Sequence, residues 1–288
     1  QARLSYTLVT LKHDDDYVID FEKTRYTGPD TTRLRKLFHE LELTRALAKL
    51  PKAESAVPTE VDYRVVRTEA ELLRLCANVR EVGALAFHLV VDEDAVRRET
   101  PVGIAIAWTE AHAAYIPLVS GLLEAERVPT ERALELFKPL FENSLLPKRV
   151  ASARVASLGL GTLGITLRGV AFDARLAGFL LDPDRGAYDV PALADEALGA
   201  KLVSDEETLG KGKEKKRFAG LSNEEAAKYA NEHVDFVNRL SAVLEPRMAS
   251  GKFPAIYRAL ELPLVDVLVT LERTGIRVDV AHLLGMSK

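Results

Sequence analysis

Three acidic residues in a row, Asp92-Glu93-Asp94, follow directly on the apolar run 84–91 (ALAFHLVV), which a single histidine, His88, interrupts. Carboxylates are hard oxygen donors and suit magnesium or manganese. The plainer reading of the trio is a solvated turn between two strands. A basic run at 211–217 (KGKEKKR) offers Lys211, Lys213, Lys215, Lys216 and Arg217 to phosphate groups. Its glycine and its lack of apolar anchors equally suit a solvated loop. Other chemistries are missing from the chain. No phosphate-cradling glycine loop follows a strand, no paired cysteines are spaced for a metal, and no Gly-x-Ser-x-Gly elbow occurs.

Composition sets the frame in which such groups must sit. The chain has 288 residues, 47% of them hydrophobic, enough for one sizeable core or a core with an appendage. A net charge of −4 is not that of a strongly basic DNA binder, so nucleic-acid contact must come from local patches. The one cysteine, Cys76, excludes an intrachain disulfide and suits a reducing, cytoplasmic setting; its helical neighbours Leu72, Leu73, Leu75 and Val79 make it a buried small hydrophobe. No apolar stretch is long enough for a membrane span, so no membrane partner is expected. The first residue is Gln1 rather than Met, and the last residues fall within a helical pattern, so the sequence reads as a piece of a longer protein.

The elements follow from periodicity and capping. Leu8-Val9-Thr10-Leu11 is strand-like, residues 31–49 have a helical apolar face through Leu34, Leu37, Phe38, Leu41 and Leu47, and 51–58 (PKAESAVP) has linker composition. Tyr63-Arg64-Val65-Val66 reads as a strand. Thr68-Glu69-Ala70-Glu71 is a capping box opening a helix to about Val82. Strands at 84–91, 102–108 (carrying Trp108) and 113–118 with short connections predict an antiparallel meander. Beyond a helix at about 129–143, strands at 149–153 and 167–172 alternate with helices, which predicts a sheet covered by helices on its faces. Ser222-Asn223-Glu224-Glu225 opens a long helix to about Leu244, and an amphipathic helix over 253–274 stops at Gly275.

The segment Gly164-Ile165-Thr166-Leu167-Arg168-Gly169-Val170-Ala171-Phe172-Asp173 resembles the stretch between the second and third exonuclease motifs of the bacterial DNA polymerase I family. The likeness continues through Leu180-Leu181-Asp182-Pro183-Asp184, Ala192-Leu193-Ala194, Gly210-Lys211-Gly212-Lys213 and Tyr229-Ala230. Glu261-Leu262-Pro263-Leu264-Val265-Asp266 and Leu271-Glu272-Arg273-Thr274-Gly275-Ile276 then resemble the entry to a polymerase domain. The resemblance implies an α/β, RNase H-like mixed sheet flanked by helices. It also implies three parts: residues 1–60 as a linker and helical appendage after a 5′-nuclease domain, 61–250 as the 3′–5′ exonuclease-like domain, and 251–288 as the start of a polymerase domain.

Active relatives cleave a phosphodiester with two Mg or Mn ions held by aspartate and glutamate. Aligned on Leu85-Ala86-Phe87, the acidic pair of the first motif falls on His88 and Val90. Counting back from Gly164, the Asn, Tyr and Asp of the second motif fall on Ser152, Val155 and Ala156. The third motif keeps its tyrosine as Tyr229, but its aspartate position is His233, four residues on and on the same helix face. The expectation is therefore a domain of DNA replication and repair that has lost proofreading, carries no metal cofactor, and acts as a scaffold and weak DNA guide beside the polymerase and 5′-nuclease domains of its parent. His88 and His233 should lie close together. Two alternatives stand beside it: an active metal-dependent 3′–5′ exonuclease built on Asp92 and Asp94, and a partner-binding module without DNA contact.

Overall fold

The computed structural model describes residues 1–11, 20–25, 28–41, 43, 46, 50, 60–92, 94–119, 127–211, 215–249 and 253–286. The chain forms two compact units, Gln1–Pro51 and Lys52–Lys288. The first contains helices α1 (Ala2–Val9), α2 (Phe21–Thr24) and α3 (Thr31–Glu40). The strand expected at Leu8-Val9-Thr10-Leu11 is not formed, because Leu8 and Val9 close α1 instead. A strand needs a neighbour for its backbone groups, whereas this segment satisfies them locally, as when Thr10 N donates to Tyr6 O at 3.0 Å. Leu47, expected on the α3 face, and the expected linker 51–58 lie outside the described residues.

The second unit is built on a six-stranded mixed sheet in the order β1-β4-β3-β2-β5-β6. Its strands are β1 (Asp62–Val65), β2 (Leu85–Val90), β3 (Gly103–Thr109), β4 (His112–Pro117), β5 (Lys148–Val150) and β6 (Val170–Asp173). The antiparallel meander β2-β3-β4 is present, with β1 parallel to β4 on one side and β5 parallel to β2 on the other. Helix α4 (Glu69–Val82) starts at the Thr68–Glu71 capping box and ends at Gly83, whose φ of 71° is open to glycine at little cost.

Alternation along β2 sorts its side chains into two layers. Leu85, Phe87 and Leu89 join the cluster formed with α4, α5 (Thr130–Glu142) and α6 (Ala153–Thr162). Cys76 is buried in it and Trp108 packs against it. Ala86 and Val90 face the other way, together with Ala105, Ala107, Ala113 and Tyr115. That alanine-rich face admits the long helix α10 (Asn223–Met248) against strands β1 to β5, and α7 (Ala174–Leu181) and α8 (Val190–Leu198) complete the layer. The short helix α9 (Asp205–Leu209) has its own capping box, Ser204 with Glu207.

Helix α10 is pinned by a buried acid. Asp235 is fully buried and accepts from the Tyr63 hydroxyl at 2.8 Å, the Ala111 amide at 2.8 Å and Arg239 Nε at 2.9 Å. These bonds tie β1 and the β3–β4 turn to the helix.

The C-terminal helix is continuous but widened. Between α11 (Phe253–Ile256) and α12 (Leu262–Thr274), Tyr257–Glu261 is π-helical, and Leu262 N reaches back to Tyr257 O. Pro263 has no amide to give to the α-pattern, and the Tyr257 hydroxyl turns inward to accept from Asp173 N at 2.7 Å. Helix α12 then packs on α6 through Val265 and Val269, and Arg273 Nη2 donates to Ser157 O at 2.7 Å. A further helix, α13, spans Val280–Met286. Among the described residues no helix is long and apolar enough to cross a membrane.

Replacing Asp235 with alanine strips the three tethers and leaves the buried Arg239 guanidinium unpaired. The expected loss is about 3–5 kcal/mol, read by urea unfolding on the fluorescence of Trp108, the only tryptophan. A loss near zero would show that the pin is dispensable.

Candidate functional site

His88 is the sheet-borne member of the site, pointing from β2 to the α10 side between Ala86 and Val90. Tyr229 and His233, one helical turn apart, meet it from α10. The ring centres lie 5.6 Å apart for His88 and His233, 5.7 Å for His88 and Tyr229, and 4.0 Å for Tyr229 and His233. Phe218 closes the cluster, 5.2 Å from Tyr229. The Tyr229 hydroxyl donates to Asp205 Oδ1 at 2.6 Å, so the N-terminal turn of α9 anchors the ring.

Tyr229 and His233 are almost completely buried, and His88 is partly buried. His233 Nδ1 lies 2.9 Å from Tyr229 O. A carbonyl only accepts, so Nδ1 carries the hydrogen and Nε2 holds a bare lone pair. That Nε2 is buried and has no hydrogen-bond partner among the described residues. Burial, with His233 as a second influence, pushes the His88 imidazole down to about 3. Burial also pushes His233 down to about 4, against the opposing pull of the Tyr229 carbonyl and the Asp205 and Asp189 carboxylates. Both rings are neutral at neutral pH.

The remaining sequence-derived positions are occupied differently. Val90 is fully buried on the same sheet face as His88. Ser152 is the N-cap of α6, its hydroxyl accepting from Val155 N at 3.4 Å, and Ala156 packs into the opposite cluster with Leu89 and Val150. The structure thus gathers His88, Tyr229 and His233 into one ring cluster and gives Ser152, Val155 and Ala156 capping and packing work. Glu232, next to His233, turns away and accepts from Val203 N at 3.0 Å.

Two hard dications do not fit this donor set. The two imidazoles supply no anionic oxygen to offset the repulsion between the ions, and the Asp205 carboxylate beside them is engaged by the Tyr229 hydroxyl. Among the described residues no group of three or more His, Cys, Asp or Glu is placed to hold a metal.

The Asp92–Asp94 turn and the basic run meet each other. Arg217 bonds Asp92 Oδ2 at 2.9 Å and Glu99 Oε2 at 2.6 Å, and Lys211 pairs with Glu206 at 2.6 Å. Asp94 is exposed, Lys215 and Lys216 are exposed without ion pairs among the described residues, and Glu93 and Lys213 lie outside them. The run 211–217 itself carries no apolar residue, but Phe218, directly after Arg217, is buried. Sequence reasoning passed over Phe218 and Asp205; the Ser204-x-x-Glu207 box was a readable sign that Asp205 opens a helix.

The model of the family described as DNA polymerase I, ribonuclease H-like domain, matches residues 91–240. The chain belongs to that family. It is a 3′–5′ exonuclease-like domain of the bacterial DNA polymerase I type. DNA polymerase I of Pseudomonas aeruginosa is 32% identical, over 99% of this chain and 33% of its own length; that of Bacillus subtilis is 25% identical, over 100% and 31%. The chain therefore spans about a third of the length of these curated relatives. Solved structures share the fold. A Mycobacterium smegmatis Pol1 complex with DNA primer-template and dNTP has a TM-score of 0.57 at 21% identity, covering 77% of this chain and 34% of that one. Escherichia coli RNase D has a TM-score of 0.53 at 18% identity, covering 75% and 52%.

The histidine pair makes the DNA polymerase I-like domain acid-sensitive. Both folded-state values lie below that of an unfolded histidine, about 6.5. Stability from this source is complete above that pH and is lost as pH falls toward about 4 for His233 and about 3 for His88. Asp173 works in the opposite sense: burial raises its carboxyl to about 6, so its contribution is complete at low pH and lost as pH rises through that value. Comparison of the EDTA-treated wild type with His88→Phe/His233→Phe cancels the Asp173 background. Between pH 6.5 and 4.5 the wild type should lose stability more steeply, by up to about 1.4 kcal/mol per pH unit for each ring. Equal slopes in urea titrations would contradict neutral burial of the rings.

Proposed function

We propose that this chain is a proofreading domain that no longer hydrolyses 3′ ends and serves instead as a scaffold within a longer, cytoplasmic DNA polymerase. The observation that supports the reading is the ring cluster in which His88 and His233, the two positions that the resemblance assigns to carboxylates, meet beside Tyr229. An editing site of this type binds two hard ions that activate water and neutralise the leaving oxygen. Neutral imidazoles and the buried side chains of Val90 and Ala156 provide no ligand for them. The alternative site at Asp92 and Asp94 is weakened by Arg217, which already neutralises Asp92.

The scaffold role has its own support. Leu264, Val267, Leu268 and Leu271 form an exposed apolar stripe on α12, which suits a domain seated beside polymerase and 5′-nuclease parts of one parent chain. DNA contact is the weaker half of the reading. Lys215 and Lys216 are available to phosphate, whereas Lys211 and Arg217 are held by carboxylates.

Incubation with a 3′-labelled single-stranded oligonucleotide in magnesium or manganese is the direct test, and the expected result is no shortening of the label. Processive removal of nucleotides that EDTA abolishes would overturn the proposal and return Asp92 and Asp94 to first place. In gel-shift titrations, binding to single-stranded DNA should be weak and salt-sensitive. Lys215→Ala with Lys216→Ala should reduce the slope of log affinity against log salt by roughly 1.4. An absence of binding by the wild type would favour a module that contacts protein alone.

A further inference from the structure

We propose that His88 and His233 form a two-imidazole site for one borderline transition ion of the zinc type, with water completing its coordination. The first support is the tautomer. Nδ1–H of His233 is fixed on the Tyr229 carbonyl, which leaves Nε2 as a lone pair. This is the arrangement by which proteins orient an imidazole toward a metal, the second nitrogen being held by a backbone carbonyl. The second support is that this Nε2 is 2% exposed at the residue level and unpartnered. An orphaned acceptor at that depth is costly unless something occupies it.

Ring spacing is the third support. An ion bonded to one nitrogen of each imidazole at about 2.0–2.1 Å sets the ring centres roughly 5–6.5 Å apart, depending on the angle at the metal. The observed separation is 5.6 Å. His88 has no hydrogen-bond partner among the described residues and is only partly buried.

The donor set decides which ion. Imidazole nitrogen suits zinc, copper and nickel, while magnesium and calcium demand oxygen. The Asp205 carboxylate, bonded to Tyr229, supplies negative charge close to His233 without ligating, and so offsets part of the cost of a buried cation. Hydroxyl, carboxylate and two imidazoles thus form a small polar system inside an otherwise alanine-lined face. This inference does not depend on whether the domain cleaves DNA, since its readout is ion uptake alone.

Calorimetric titration of the EDTA-treated, dialysed chain with ZnCl2 tests it, with MgCl2 as the hard-ion control. His88→Gln and His233→Gln are run beside the wild type; His13, His39, His112 and His282 remain in all three as a common background. The wild type should take up one equivalent of zinc at a site that both variants lose or hold about tenfold or more weakly, and magnesium should give no binding heat. Should His233→Gln fail to fold, His88→Gln, at the more open ring, decides alone. Wild type and variant titrating alike, or a wild type that takes up no zinc, would overturn the proposal.

Discussion

Helix α10 can approach the sheet only because β2, β3 and β4 present Ala86, Ala105, Ala107 and Ala113 to it. Small side chains bring the helix backbone near the strands, and the helix buries sixteen of its residues as a result, several of them polar. A polar group at that depth must find a partner or impose a cost. Asp235 meets the demand with Tyr63, Ala111 and Arg239, Asn231 donates to Arg64 O, and Asn238 accepts from Arg149. His233 meets it on one nitrogen only. The close packing therefore creates both the rigidity of the frame and the chemical character of the ring cluster.

Carboxylates at the same depth would behave differently from imidazoles. Without cations, several anions beside one another in a dry pocket repel and resist desolvation. Imidazoles can enter the same space uncharged. On the proposed reading, His, Val, Ala and His stand in for acidic ligands and would remove the need for dications, while the ring of Tyr229 packs against His233.

Neighbouring segments lean on that frame. Asp173 caps α7, accepts from Ala153 N at the start of α6 at 2.7 Å, and gives its own amide to the Tyr257 hydroxyl. One buried residue thereby joins two helix starts to the π-helical turn before α12. Arg217, the last residue of the basic run, couples that run to the segment after β2, so residues with apparent affinity for phosphate and for cations are turned on each other.

Much of this architecture was legible in the residues themselves. The capping boxes at Thr68 and Ser222, the alternation through β2, and the short connections of the meander are local signals, set by backbone hydrogen bonding over a few residues. The family resemblance supplied the positions His88, by alignment on Leu85-Ala86-Phe87, and Tyr229 and His233, by the third motif. Tertiary structure decided what local signals do not contain. Leu8 and Val9 are as compatible with a strand as with a helix until a neighbouring strand is present or absent. The bare nitrogen of His233 is the one left when Tyr229 O takes the other, and Phe218 closes on Tyr229 from just beyond a run that sequence reads as polar. The Arg217–Asp92 pair spans 125 positions. Spacing along a chain fixes which side chains share a face, and only the packing of faces determines which of them lose water, and with it their charge.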